Sequence, residues 1–211
     1  MLARVKSVAT IGLETVEVVV EVDVASKGFP AFDMVGLPDK AVGESRARVR
    51  KAIENSGFSF PDKRITVNLA PADLHKEGSN YDLPIAVGIL VASGELRVES
   101  LLSNNAYFYG ELGLDGSVKR VKGVLLTALC AKEHKVKEIF VPIECAAEGA
   151  VVEEVGVYPL RTLGELVEHL REIKMIEKMK SLQVNALLED ATSTVDFAEI
   201  AGQELAMRAA E

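Results

Sequence analysis

The clearest pattern lies near the start of the chain. From Val16 to Val24 it reads V-E-V-V-V-E-V-D-V, with Val16, Val18, Val20, Val22 and Val24 on one side. Glu17, Val19, Glu21 and Asp23 fall on the other, the period-two signature of a half-buried strand. Ala3–Ile11 is the predicted partner across a turn at Gly12, and Phe32–Leu37 reads as a third strand ending at Pro38. Helical spacing then takes over. Asp39 is placed to cap a helix to about Asn55, stopping near Gly57, on which Val42, Ser45, Val49, Ala52 and Ile53 share a face.

Ile65, Val67 and Leu69 alternate in a further strand that ends at Ala70-Pro71-Ala72. The polar run His75–Tyr81 is expected to be a flexible loop, and Asp82 to cap a helix that begins Leu83-Pro84. That helix carries Ile85, Val87, Ile89, Leu90 and Val91 and is apolar nearly all round, so it belongs at the centre of a core. Ala106–Leu112 and Ser117–Lys119 predict a hairpin around Leu114-Asp115-Gly116. A helix from about Lys122 to His134 follows, with Val121, Val124, Leu125, Ala128 and Leu129 at helical spacing. Glu138–Val141 and Val151–Tyr158 read as strands. Thr162-Leu-Gly-Glu165 is a capping box for a helix whose Leu163, Leu166, Val167, Leu170 and Ile173 face inward.

Strands and helices interleaved in this way define an α/β chain with a layered, α+β-like arrangement. Its first domain is expected to span residues 1–173. From Lys174 to Val195 the pattern weakens and polar residues accumulate, which reads as a linker, partly helical at first. Residues 196–211 form a loop running into a helix, the expected opening of a second domain that the chain leaves incomplete.

Composition narrows the function. The 211 residues carry a net charge of −8, so the average surface repels phosphate, which argues against a charge-driven nucleic-acid binder while leaving room for a local patch. Arg46, Arg48, Arg50 and Lys51 are the candidate patch, either a solvated helix face or a contact to a phosphate backbone. Aromatics make up only 5% and Trp is absent, which argues against readout of single strands by stacked rings. Cys130 and Cys145 are too few for a disulfide framework, and Cys130 reads as a small packed helix residue. No apolar signal core follows Met1, and Leu83–Ala92 is roughly half a membrane span, so the cytoplasm is the expected address, with no membrane partner. His75, His134 and His169 show no ligand spacing and read as surface histidines, with no metal site. Glu153 and Glu154 would point to opposite faces of their strand.

Two stretches are more specific. Asp196-Phe-Ala-Glu-Ile-Ala-Gly-Gln-Glu204 resembles the opening segment of magnesium-chelatase-like AAA+ ATPases, just ahead of the Walker A loop. The resemblance implies that Ile200, Gly202 and Gln203 line the adenine side of a nucleotide pocket. The phosphate loop G-x-x-x-x-G-K-[ST] itself does not occur in these residues, so they cannot orient a γ-phosphate alone. Asn68–Ala86, together with Val35-Gly-Leu-Pro-Asp39 and Gly110-Glu-Leu-Gly-Leu-Asp-Gly116, resembles the front domain of the YifB/ComM family of bacterial AAA+ proteins, whose competence member is a DNA branch-migration helicase.

That resemblance implies a Lon-protease-like fold of the ribosomal-protein βαβ type, a hexameric ring in the full-length protein, and ATP with magnesium bound beyond Glu211. It implies no cofactor in this fragment and leaves DNA as a partner. Lon-type proteases use a serine in D-G-P-S-A and a lysine in G-G-L-K. The corresponding residues here are Asp82-Leu-Pro-Ile-Ala86 and Lys122-Gly-Val-Leu125, so Ile85 and Leu125 occupy the nucleophile and base positions. Catalytic residues are therefore expected to be absent. The reading is a non-catalytic front domain of an ATPase, serving assembly, DNA engagement or coupling. Its alternatives are a magnesium chelatase subunit for porphyrins, or a hydrolase with a relocated nucleophile at Ser79 near Lys76.

Overall fold

The computed structural model describes residues 1–37, 39–97, 106–182 and 202–210. They fall into two units, Met1–Ser181 and Leu182–Glu211. The first opens with a long hairpin, β1 (Leu2–Ile11) and β2 (Glu14–Val24), turning through Gly12 at φ 63°. Then come β3 (Ala31–Val35), α1 (Lys40–Asn55), β4 (Arg64–Ala70), α2 (Asp82–Ser93) and β5 (Ala106–Phe108). A small hairpin, β6 (Glu111–Leu112) and β7 (Val118–Lys119), leads to α3 (Val124–Glu133), β8 (Glu138–Pro142), α4 (Ala146–Gly149), β9 (Gly156–Leu160) and α5 (Leu163–Leu170).

The main sheet runs β3-β4-β2-β1-β5-β8-β9. β2 is antiparallel to both of its neighbours, β1 and β4, and every other pairing is parallel. All strands but β2 therefore point the same way, as expected of an α/β fold whose crossovers are helical. The valines at 18, 20, 22 and 24 are buried under α2, as their alternation predicts. α2 approaches the sheet closely: a Cβ on Gly88 would stand 2.5 Å from Cγ2 of Val22, so only glycine permits this spacing. The core continues through Val42, Val49, Ala52 and Ile53 of α1 and through α5, while α3 and α4 cover the opposite face.

Several local expectations change. β5 joins the main sheet, and only β6 and β7 form the hairpin expected over 106–119. β9 begins at Gly156, so Glu153 and Glu154 sit in the turn before it instead of alternating across a strand. Leu125 and Leu129 are 41% and 46% exposed, because α3 buries Val124, Thr127, Ala128, Cys130 and Ala131 instead. Ile173 is 69% exposed, beyond the end of α5. Residues 175–181 carry no helix; the segment passes beside β9, with the Met179 N–H donating to the Val157 carbonyl at 2.8 Å. Among the described residues no helix is long and apolar enough to cross a membrane.

Candidate functional site

In open α/β sheets, crevices form where parallel strands end and their loops diverge. Here a cleft of about 610 Å³ opens at that edge. Thr10 comes from the end of β1, Asp39 from the β3–α1 junction, residues 77–80 from the β4–α2 loop, and Tyr109 from just past β5. Arg120, Val121 and Lys122, ahead of α3, close the other side. Asp39 and Glu77 give one wall negative charge, and Arg120 and Lys122 give the other positive charge. The Tyr109 hydroxyl donates to the Lys122 carbonyl at 2.9 Å, and burial pushes its pKa up to about 12.

The loop that lines this cleft is held in place, against the expectation of flexibility. Asp39 caps α1 by accepting from the Val42 N–H at 2.7 Å, and its second oxygen accepts from Gly78 N–H at 3.2 Å. The Asp39 N–H donates to the Lys76 carbonyl and the Lys76 N–H to the Leu37 carbonyl, at 3.0 and 3.2 Å. Lys76 is fully buried, its ammonium donates to the Pro71 carbonyl, and burial pulls its pKa below the ordinary value. The sequence showed a polar loop. It could not show that one of its lysines turns inward.

Asp82 does not cap its helix. It is the first residue of α2, and its fully buried carboxylate faces α1. Arg48 donates through Nε at 2.7 Å and Nη2 at 3.1 Å, the Ser45 hydroxyl donates as well, and the Leu112 N–H adds a bond at 3.2 Å. Burial pushes the Asp82 carboxyl up, and these donors, Arg48 first, oppose that push. Arg48 is itself raised, chiefly by its bonds to Asp82. The geometry is that of an ion pair, since a carboxylate with charge-assisted donors on both oxygens is held ionised. The network ties α1, α2 and β6 together beneath the cleft.

Arg48 therefore does not belong to an outward basic face. Arg50 and Lys51 both reach Glu54, at 3.0 and 2.7 Å, and Arg46 donates to the carbonyls of Phe32 and Gly43. The four-residue basic run is thus divided between an internal pair, a shared carboxylate and a backbone contact.

At the positions where Lon-type proteases carry their nucleophile and base, Ile85 is fully buried and Leu125 is exposed. The first amides of α2 are also occupied: Asp82 N–H donates to Ser79 O, Leu83 N–H to Gly110 O and Ile85 N–H to Tyr81 O, while Pro84 has none. No donors are left there for an oxyanion. The Ser79 hydroxyl donates to Glu111, so Ser79 and Lys76 are directed to different partners.

His169 is buried, contrary to its reading as a surface residue. Its Nδ1 accepts from the Ile176 N–H at 2.9 Å, and its ring packs 5.3 Å from Phe140 and from Tyr158. His75 and His134 are exposed, and no group of three metal-ligating side chains occurs among the described residues. In the second unit Gly202 and Gln203 have φ of 79° and 60° and precede a short helix, Glu204–Ala210. Ile200 lies outside the described residues. Thr10, Tyr109 and Arg120 had no motif to mark them, and Lys122 entered only as the first residue of the stretch matched to G-G-L-K; their signal is position at strand and helix ends.

Fold and cleft together define an α/β domain with a ligand-sized crevice and no hydrolytic group at its expected positions. Residues 20–145 match the family described as subunit ChlI of Mg-chelatase, and the chain belongs to that family and, within it, to the YifB/ComM group. It is 40% identical over 209 residues to competence protein ComM of Haemophilus influenzae, covering 99% of this chain and 40% of that protein. It is 39% identical over 214 residues to the uncharacterized protein YifB of Salmonella typhimurium, and 36% over 213 residues to that of Escherichia coli. In both cases 100% of this chain is covered, and it spans 40% of the relative's length.

Proposed function

We propose that this chain is the non-catalytic front domain, with the opening of the motor domain, of a magnesium-chelatase-like AAA+ ATPase of the ComM type. In this reading its fold is Lon-protease-like, and the assembled protein is a hexameric ring that uses ATP and magnesium. The front domain serves assembly, DNA engagement or coupling. The observation that carries the reading is Ile85: a buried apolar side chain in the nucleophile position, on a helix whose first amides are already bonded. The naming of the Haemophilus relative as a competence protein supports a role in DNA handling. Gly202 and Gln203 would then contribute to the adenine side of the nucleotide pocket, together with Ile200.

The test has two parts. The coding sequence past Glu211 is expected to encode a G-x-x-x-x-G-K-[ST] loop, and its product to hydrolyse ATP where the 211-residue chain does not. The chain is also expected to leave unstructured peptide substrates intact. Absence of the loop, or peptide cleavage abolished by Ser79→Ala, refutes the proposal.

A further inference from the structure

We infer that a groove on the outer side of α1 binds single-stranded nucleic acid, stacking a base against Phe32 and Phe60 and holding phosphate with Arg46 and Lys63. The inference rests on the DNA-engagement part of the reading above and assigns it to a surface. The groove, about 370 Å³, lies between α1, the start of β3 and the turn ahead of β4. Its size suits a single nucleotide-sized unit, at the small end of ligand pockets.

The chemistry is mixed in the way that single strands require. Phe32 and Phe60 are half-buried with ring centroids 6.3 Å apart, and the Arg50 guanidinium lies 5.2 Å from the Phe60 centroid. Phe29, one residue before the groove begins at Pro30, is 92% exposed. Ring faces and a guanidinium plane are the surfaces on which unpaired bases stack, irrespective of base identity.

Three cations line the groove against one carboxylate, Asp62. Arg50 is shared with Glu54, but Arg46 bonds only carbonyls and neither it nor Lys63 makes an ion pair among the described residues. Uncompensated cations beside aromatic faces distinguish a nucleotide from an acidic peptide. A carboxylate would satisfy the charge and leave the rings wet, whereas a nucleotide covers both. A duplex keeps its bases stacked internally and offers the rings nothing. The low aromatic content and net charge of −8 describe the whole chain; they do not describe this surface.

The experiment measures fluorescence anisotropy of a labelled twelve-residue oligo-dT with the 211-residue chain, from 20 to 150 mM salt. Binding is expected, with a log–log salt slope of about −1.4 to −2.1, the value for two or three phosphates on a single strand. Arg46→Glu with Lys63→Glu should weaken it at least about tenfold. Phe29→Ala, which removes no packing, should weaken it about threefold with the slope unchanged. Lys51→Glu, the same charge change elsewhere on α1, should alter it less than about twofold, and Asp62→Asn should tighten it. The groove is refuted if the oligonucleotide does not bind at 20 mM salt. It is refuted equally if a duplex or poly-glutamate binds as tightly, or if Lys51→Glu matches the double variant. Should the longer protein hydrolyse ATP and bind DNA while the groove variants bind unchanged, the groove alone fails. If it lacks ATPase activity while these variants lose single-strand binding, the groove stands without the motor reading.

Discussion

Replacing Arg48 by Met removes two charge-assisted donors from Asp82, a carboxylate at 0% exposure, and leaves it, among the described residues, the Ser45 hydroxyl and the Leu112 N–H. Breaking one side of a buried pair costs about 3–5 kcal/mol. The Arg48 side chain keeps 22% of its exposure, so the lower end applies, about 3 kcal/mol. Asp82→Leu should cost less, about 2 kcal/mol, because the Arg48 guanidinium is partly exposed and keeps the attraction of Glu44 and Glu111. The double variant Arg48→Met/Asp82→Leu strands neither charge and should recover at least half of the summed loss. Urea unfolding of the four proteins gives the coupling directly. In Arg48→Met the sign of the pH dependence also follows. Without its cation, Asp82 has a folded pKa above its unfolded value, so protonation favours the folded state and the deficit shrinks as pH falls from 8 to 5. A loss below about 1 kcal/mol for Arg48→Met, or a double variant whose loss equals the sum, would refute the ion-pair account.

Two further outcomes are expected. Burial holds the His169 pKa below 6.5, so the unfolded chain takes up a proton first as pH falls; stability should drop from pH 7.5 to 5.5, and His169→Phe should flatten that dependence in urea midpoints. The Ser7 hydroxyl is buried in the sheet with no hydrogen-bond partner among the described residues, so Ser7→Ala should raise stability by about 1 kcal/mol in the same assay, and a loss would show an uncounted bond.

The elements that the sequence exposed are those whose burial repeats with a backbone period. β2, α1 and α2 are legible because Val18–Val24, Val42–Ile53 and the all-apolar run of α2 state their faces locally. What stayed hidden depends on partners far along the chain. Asp82 in a helix-start position looks like a cap until α1 brings Arg48, 34 residues earlier, against it. Lys76 is a polar letter in a polar stretch, held by backbone bonds to Leu37 and Asp39, and His169 lies on the inward face of α5, where the Ile176 N–H meets its ring nitrogen. Leu125 and Leu129 fit a helical stripe, yet α3 is rotated so that its smaller residues meet the sheet. The cleft was legible only as a rule about strand ends, and the groove only once the 58–63 turn had folded back on α1.

The strip of chain along β9 has a consequence for the life of the protein in solution. A bordering strand with open amides and carbonyls invites another sheet to add to it. Here Met179 takes the Val157 carbonyl and His169 anchors Ile176, so that border is already occupied by the protein's own backbone. At the opposite border β3 is only five residues long and is preceded by Pro30, both of which shorten the stretch that could pair, and its exposed Asp33 adds a charge beside Arg64 of the neighbouring β4. The β9 border is thus the one shielded by the chain itself, and removing residues 174–181 should expose it and raise self-association, read as increased light scattering against the intact chain.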